Sequence, residues 1–242
     1  ITIDDMIWLQ NDNYNLMAAE ALPFLLNQFD NNTLNESENA ILDSLKTWDY
    51  FNEYALSAPS YFQKWWTIIK TNVFDEMEDS TLQYVVPNDY QTFHFIKDNP
   101  KHALIDNQAT TDKETVSSII NDAFKTMAAF YIENPERNSS WQMANASSIK
   151  HLMELEAFSK YNIEIGGSEN AISAVNQNWG PSWRMIVKLN QDGVEAYGVY
   201  PGGQSGNPSS PHFDDLVEHW RTGQYFKLNF YKNKAEAASK NK

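Results

Sequence analysis

Apolar residues recur every three or four positions through the first two-thirds of this 242-residue sequence, then at every second position in the last third. A helix buries a stripe at the first spacing and a strand buries a face at the second. A chain carrying both in blocks is therefore α+β, with helices first and antiparallel strands last. The pattern predicts a mainly helical domain over residues 1–158 and antiparallel strands with one helix (residues 211–222) over residues 159–231. A basic, disordered tail is expected over residues 232–242, where Lys232, Lys234, Lys240 and Lys242 form the one basic cluster.

Thr2, with Asp5 three positions on, reads as the cap of a short opening helix. A second helical stretch holds Tyr14, Met17, Leu22, Leu25, Leu26 and Phe29, and Pro23 should start, break or kink it. Asn35 and Glu38 precede Ile41, Leu45 and Trp48 at helical spacing. Phe62, Trp65, Ile69 and Val73 mark an amphipathic helix from about Pro59 to Glu76. A further helix is predicted to begin at a capping box formed by Thr111 and Glu114, with a stripe from Val116 to Tyr131, and to stop before Asn134-Pro135. Residues 79–110 read as a long loop with a short strand near Tyr84–Val86, and His151 falls in an apolar helical run with Leu152, Met153 and Leu155.

In the last third, Trp183, Met185, Val187 and Leu189 alternate with Arg184, Ile186 and Lys188. Asp192-Gly193 follows, then Val194 to Tyr200, which is a hairpin signal. Phe226, Leu228 and Phe230 mark another strand. Between them a helix is predicted from Pro211, capped by Ser210, facing Phe213, Leu216, Val217 and Trp220 to the core and closed by Gly223.

With 8 Trp, 12 Tyr, 13 Phe and 42% hydrophobic residues, the chain can bury a sizeable core. A net charge of −14 argues against nucleic acid, whose phosphates need a Lys/Arg stripe. The absence of cysteine excludes disulfides and thiolate metal sites but leaves the compartment open. No apolar run approaches the roughly 18 residues that cross a bilayer, so no membrane partner is expected. A first residue of Ile1, with no signal-peptide pattern, reads as a processed or excised product.

Two segments say most about function. Gly180-Pro181-Ser182-Trp183-Arg184-Met185 enters the hairpin, and Pro201-Gly202-Gly203-Gln204-Ser205-Gly206-Asn207-Pro208 leaves it. The second continues through Ser210-Pro211-His212-Phe213-Asp214-Asp215 to Trp220-Arg221-Thr222-Gly223. Together with Ile165-Gly166-Gly167, Asn170-Ala171, Trp141 and His151, this ordered set resembles the C-terminal segment of the nucleophile-bearing subunit of the penicillin acylase family. The likeness is closest over residues 141–230, and the helical sequence at residues 1–80 is similar in type to that family's helical insertion.

The resemblance implies an N-terminal-nucleophile hydrolase with a four-layer αββα sandwich. In that family an exposed serine attacks an amide carbonyl with its own α-amine as base. The pKa of a free α-amine, about 7.7–8.0, suits that work. The family's nucleophile, oxyanion asparagine and calcium ligands belong to an upstream region, and Ile1 has no nucleophilic side chain. The resemblance therefore implies no catalytic residue and no cofactor or metal in this chain, and a fragment inactive by itself. It also implies a periplasmic or extracellular bacterial compartment. The implied partners are the upstream part of the same subunit, the small subunit and an amide substrate, with dimerisation possible through an exposed sheet edge.

Arg184, Gln204 and Ser205 are the candidate substrate-contacting residues. Arg184 either pairs with a carboxylate, leans to solvent, or holds a substrate carboxylate. The glycine-rich loop either makes a tight crossing from strand to helix or lines the acylase pocket with Gln204 and Ser205. It is not a phosphate loop, because no Lys-Ser/Thr pair follows its glycines. His212, Asp215 and His219 have the spacing of a metal face or of an ordinary charged helix face. Asp75, Glu76, Glu78 and Asp79 read as a solvated charge run, and the Asn-x-Ser/Thr triplets at Asn31, Asn35, Asn138 and Asn145 as chance in an Asn-rich chain. The rival reading is an acidic carbohydrate-binding module that stacks sugars on exposed tryptophans such as Trp65, Trp66 or Trp179.

Overall fold

The computed structural model describes residues 1–30, 32–77, 85–135, 139–191, 193–231 and 233–240. In chain order its elements are α1 (Ile3–Gln10), α2 (Leu16–Gln28), α3 (Glu36–Thr47), α4 (Ala58–Val73), α5 (Asp89–Asp98), α6 (Val116–Ile132) and α7 (Trp141–Asn145). They continue as β1 (Ser147–Ile149), β2 (Lys160–Ile163), β3 (Arg184–Asn190), β4 (Gly193–Val199), α8 (Val217–Arg221), β5 (Phe226–Leu228) and α9 (Lys234–Lys240). The chain divides into two compact units: Tyr14–Ala144, all helical, and Ile1–Asn13 with Asn145–Lys242, which holds the strands. The helical unit thus ends at residue 144, not at the 158 expected, and the first 13 residues belong with the strands.

The helical unit is built on its caps. Asn15, Asn35, Asn88 and Thr115 each accept a backbone N–H of the first turn they precede, and all but Asn15 complete a reciprocal box. Pro23 does not break α2: the helix runs through it with one ladder bond fewer, and Leu22 and Leu25 on either side are buried. Two expectations need correction. The cap of α6 is Thr115, four residues after Thr111, because the Glu114 carboxylate is taken by the Asn107 N–H and the Thr110 hydroxyl. Residues 79–110 are also more than loop, since the Asn88–Gln91 box starts α5. Val85 and Val86 form no strand, and Tyr84, Glu78, Asp79, Asn31 and Asn138 lie outside the described residues.

Leu22, Leu25, Leu45, Phe62, Trp65, Trp66, Ile69, Ile120 and Phe124 close one core, packed from α2, α3, α4 and α6. Trp65 sits at its centre, donating its indole N–H to the Ile120 carbonyl at 2.9 Å and meeting Phe29 and Phe124 edge-on. A hollow between α4, α5 and α6 is lined only by Ile and Val.

In the sheet unit, β3, β4 and β5 pair antiparallel in that order, with Arg184 opposite Val199 and Gly198 opposite both Met185 and Phe226. Asp192, in the hairpin turn, lies outside the described residues. β1 and β2 make a separate two-stranded sheet where the sequence suggested a helical run around His151. The helix expected over residues 211–222 is confined to Val217–Arg221, preceded by turns. Gly223 closes it as expected, at φ +70°. The Gln224 N–H reaches the His219 carbonyl (2.8 Å) and the Gly223 N–H reaches the Trp220 carbonyl, a Schellman ending. The segment expected to be a disordered tail is helical over α9, while Lys232 and Lys242 lie outside the described residues.

Cross-strand partners share a face, which makes the two sides of this sheet easy to assign. One side carries Arg184, Ile186 and Val199, all buried, and through Val199 it joins a small core with Ile163, Ile165, Val175 and Trp220. The other carries Trp183, Met185, Val187, Leu189, Val194 and Phe226 over a floor of Ala196 and Gly198. Those six large side chains are exposed, Leu189 by 81%. The alternation read from the sequence is real, but its apolar side is the open one.

Candidate functional site

The sequence segments singled out above meet at Trp220. Its ring passes Gly180, where an added Cβ would stand 3.3 Å from the ring, and its indole N–H donates to the Pro181 carbonyl at 2.7 Å. Arg184, the first residue of β3, is only 4% exposed. Its Nη1 donates to the Trp220 carbonyl at 2.8 Å and its Nη2 to the Ser173 hydroxyl at 3.2 Å, with the guanidinium 5.7 Å from the Trp220 ring centre. Arg184 neither pairs with a carboxylate nor leans to solvent, and its Nε finds no hydrogen-bond partner among the described residues. Burial draws its pKa below the ordinary arginine value, opposed by the charge of the neighbouring Tyr225 phenol. Burial likewise pushes the Tyr225 phenol up, opposed by Arg184.

Ser173 extends the clamp. Its backbone N–H donates to the Asp12 carbonyl at 2.7 Å, and its own carbonyl crowds Gly167, where a Cβ would fall 2.1 Å away. At φ +116° that position is closed to other residues in any case. Asn145 Nδ2 donates to the Gly167 and Val175 carbonyls. From α1, Gln10 donates to the Met185 carbonyl and accepts from the Tyr225 hydroxyl at 2.8 Å. Sequence reasoning placed Trp220 in the core but missed Ser173, Gln10 and Tyr225, because nothing in their spacing distinguishes them.

The loop after β4 is stitched to itself. The Leu216 N–H donates to the Gly202 carbonyl, the Ser205 N–H to the His212 carbonyl, and the Asn207 N–H to the Ser205 hydroxyl. A side chain at Gly203 would meet the His212 carbonyl oxygen at 2.2 Å, so the glycine serves a close backbone crossing. Ser205 is used inside the loop, whereas Gln204 is exposed at its surface. No hydrogen bond links Arg184, Gln204 and Ser205 to one another among the described residues.

The other candidates separate. His212 turns Nδ1 to Asp215 (2.8 Å), while His219 turns Nδ1 to Gln224 and packs edge-on against Phe226, so the two histidines do not converge. No metal-binding group of three His, Cys, Asp or Glu occurs among the described residues. Trp65 and Trp66 are buried and cannot stack a sugar, so of the three tryptophans named for the rival carbohydrate reading only Trp179 is exposed.

A closed helical unit and an antiparallel sheet covered on one face make this an α+β chain whose assembled site is a structural clamp. The chain belongs to the penicillin amidase family, whose model matches residues 1–237. It is 34% identical over 73 residues to the acyl-homoserine lactone acylase QuiP of Pseudomonas aeruginosa, a match covering 27% of this chain and 8% of that protein. The QuiP acylase of Pseudomonas syringae pv. tomato is 36% identical over 72 residues, covering 26% and 8%. Among solved structures, a thermostable penicillin G acylase from Alcaligenes faecalis superposes with a TM-score of 0.60 at 13% identity, over 100% of this chain and 48% of that one. The fold is therefore shared with an acylase, and the chain spans less than half the length of these proteins.

Proposed function

We propose that this chain is the C-terminal part of the nucleophile-bearing subunit of an acylase that hydrolyses the amide between an acyl group and an amine-bearing partner. In this reading the N-terminal serine, its α-amine base, the oxyanion asparagine and the family's calcium site lie upstream. The chain contributes a helical unit and one sheet of an αββα sandwich, in a periplasmic or extracellular enzyme. It has no turnover alone.

The observation that carries this reading is the open face of β3, β4 and β5. Six large apolar side chains on one side of a sheet, in a chain of net charge −14, are what a missing layer leaves behind. Burying the part of each that is still exposed would stabilise the assembly by about 1 kcal/mol per side chain. The fraction of the solved acylase that the chain spans, 48%, agrees with a part of that size. Arg184 then acts from behind the sheet as a strut, and Gln204 is the loop residue assigned to the pocket.

The test compares the 242-residue chain with the natural-length protein on an N-acyl-homoserine lactone and on a phenylacetyl amide. Turnover is expected only in the longer protein, where Gln204→Ala should lower kcat with the melting temperature unchanged. Turnover by the 242-residue chain alone would overturn the reading.

A further inference from the structure

We infer that the buried fork of Arg184 is a receptor for a small planar oxyanion of the carboxylate class, taken up from solution. A guanidinium presents two parallel donors along one edge, Nε–H and Nη2–H, spaced for the two oxygens of a carboxylate. Arg221 shows that use in this same chain. Its Nε donates to Glu218 Oε2 at 2.6 Å and its Nη2 to Glu218 Oε1 at 2.8 Å.

Arg184 holds the same edge inside the sheet unit. It is 4% exposed, yet its Nη2 meets only the Ser173 hydroxyl, at 3.2 Å, and its Nε meets no acceptor among the described residues. Nη1, away from that edge, has the Trp220 carbonyl near the end of α8, which carries a partial charge at most. The Tyr225 phenol gives its hydrogen to Gln10, and with its pKa pushed up by burial it supplies no negative charge at neutral pH. A cation taken out of water and offered neutral acceptors alone keeps most of its desolvation cost. An anion that fits the edge removes part of that cost, and this is the driving force for binding.

The donors dictate the pose. One oxygen takes the Nε–H and the other takes the Nη2–H. Ser173, no longer needed as an acceptor, turns its own hydrogen to the second oxygen, so three donors serve one charge. Ser173 is itself 3% exposed, and that crowding limits the anion to the size of formate or bicarbonate. Entry is by local opening of residues 164–183, which supply Ser173 and contain no helix or strand. The site does not depend on the acylase reading, and the two stand or fall separately.

The test uses the 242-residue chain, with sodium formate as the probe and sodium chloride at equal ionic strength as the control. The Arg184 Nε–H signal, followed by NMR, should move on titration with formate and reach a plateau. Chloride and the bulkier benzoate should leave it in place. The urea midpoint of the sheet unit should rise along the same formate curve, because only the folded state offers the edge, while that of the helical unit stays put. Arg184→Lys keeps the charge and loses the fork, so it should need about ten times more formate for the same rise. Should that variant fail to fold, the signal of the unaltered arginine decides alone. A signal that formate does not move would overturn the site. Equal responses to formate and chloride would mean an adventitious ion only and would overturn it too, as would an undiminished response in Arg184→Lys.

Discussion

In the helical unit every large aromatic of α4 except Tyr61 is sealed inside, whereas in the sheet unit Trp183 stands half exposed, stacked on Tyr200 at the edge of an open apolar face. Both units come from the same composition. The difference lies in how many faces each must cover. A bundle of α2, α3, α4 and α6 can turn all its stripes towards one axis and leave none over. A sheet has two faces, and here α1 and the small core around Trp220 answer only one of them. The helical unit therefore closes its own core, whereas the sheet unit leaves six large apolar side chains exposed on one face.

The sharpest way to break that contrast is a matched pair of tryptophan truncations. Trp65→Ala should destabilise the helical unit by about 3–5 kcal/mol, through lost packing and the loss of the indole's bond to the Ile120 carbonyl. Trp183→Ala in the same 242-residue chain should cost about 1 kcal/mol or less. Both are read by circular dichroism during urea unfolding, and similar losses would show that the sheet's open face is not open in solution. Next in size is Arg184→Ala, expected to cost the sheet unit about 1–3 kcal/mol by emptying the buried space beside Trp220 and removing the guanidinium's bonds to the Trp220 carbonyl and the Ser173 hydroxyl. The helical unit should unfold at its former urea concentration, so a single shared transition would refute the independence of the two units.

The smallest effect concerns acid. The Lys125 ammonium at 2.8 Å, helped by the Asn35 N–H, holds the Glu38 carboxyl below the ordinary glutamate value against the opposing cost of its burial. A depressed carboxyl stabilises the fold above its unfolded value, near pH 4.3, and loses that contribution as pH falls through the folded value. Glu38→Gln keeps an acceptor for the Asn35 N–H but removes the charge. It should lower helical-unit stability by about 1 kcal/mol or less at pH 7, since Lys125 is partly solvated, and should narrow the gap to wild type below pH 4. An unchanged pH profile would assign no linkage to this pair.

What could be read in advance divides along the same line. Helices announced themselves through spacing and caps, because both are local: Thr2 with Asp5 and Asn35 with Glu38 do in space what they do in sequence. α5 was hidden because the Asn88 that caps it looks like one more polar loop residue among Asn, Asp and Pro. Which side of β3 is buried was not legible in the alternation, because Arg184, a charged residue by type, spends its hydrogen bonds on Trp220 and Ser173 and packs as a core residue. The short α8 followed from hydrogen bonds within residues 202–216, which no periodicity records. Trp220 was placed correctly as a core residue, while the clamp around it depends on partners 36 and 39 residues away.

Asp12 and Asn145, the last links before and after the helical unit, are both tied to one short run of backbone, through Ser173 and Val175. Only two peptide steps separate those anchors, so departure and return occur at nearly one place on the sheet unit. A segment entered and left through a single doorway can be lengthened, shortened or exchanged without re-registering a strand. The 131 residues between Asn13 and Asn145 are thus a cassette, free to diverge at its own pace while the frame around Trp220 stays put.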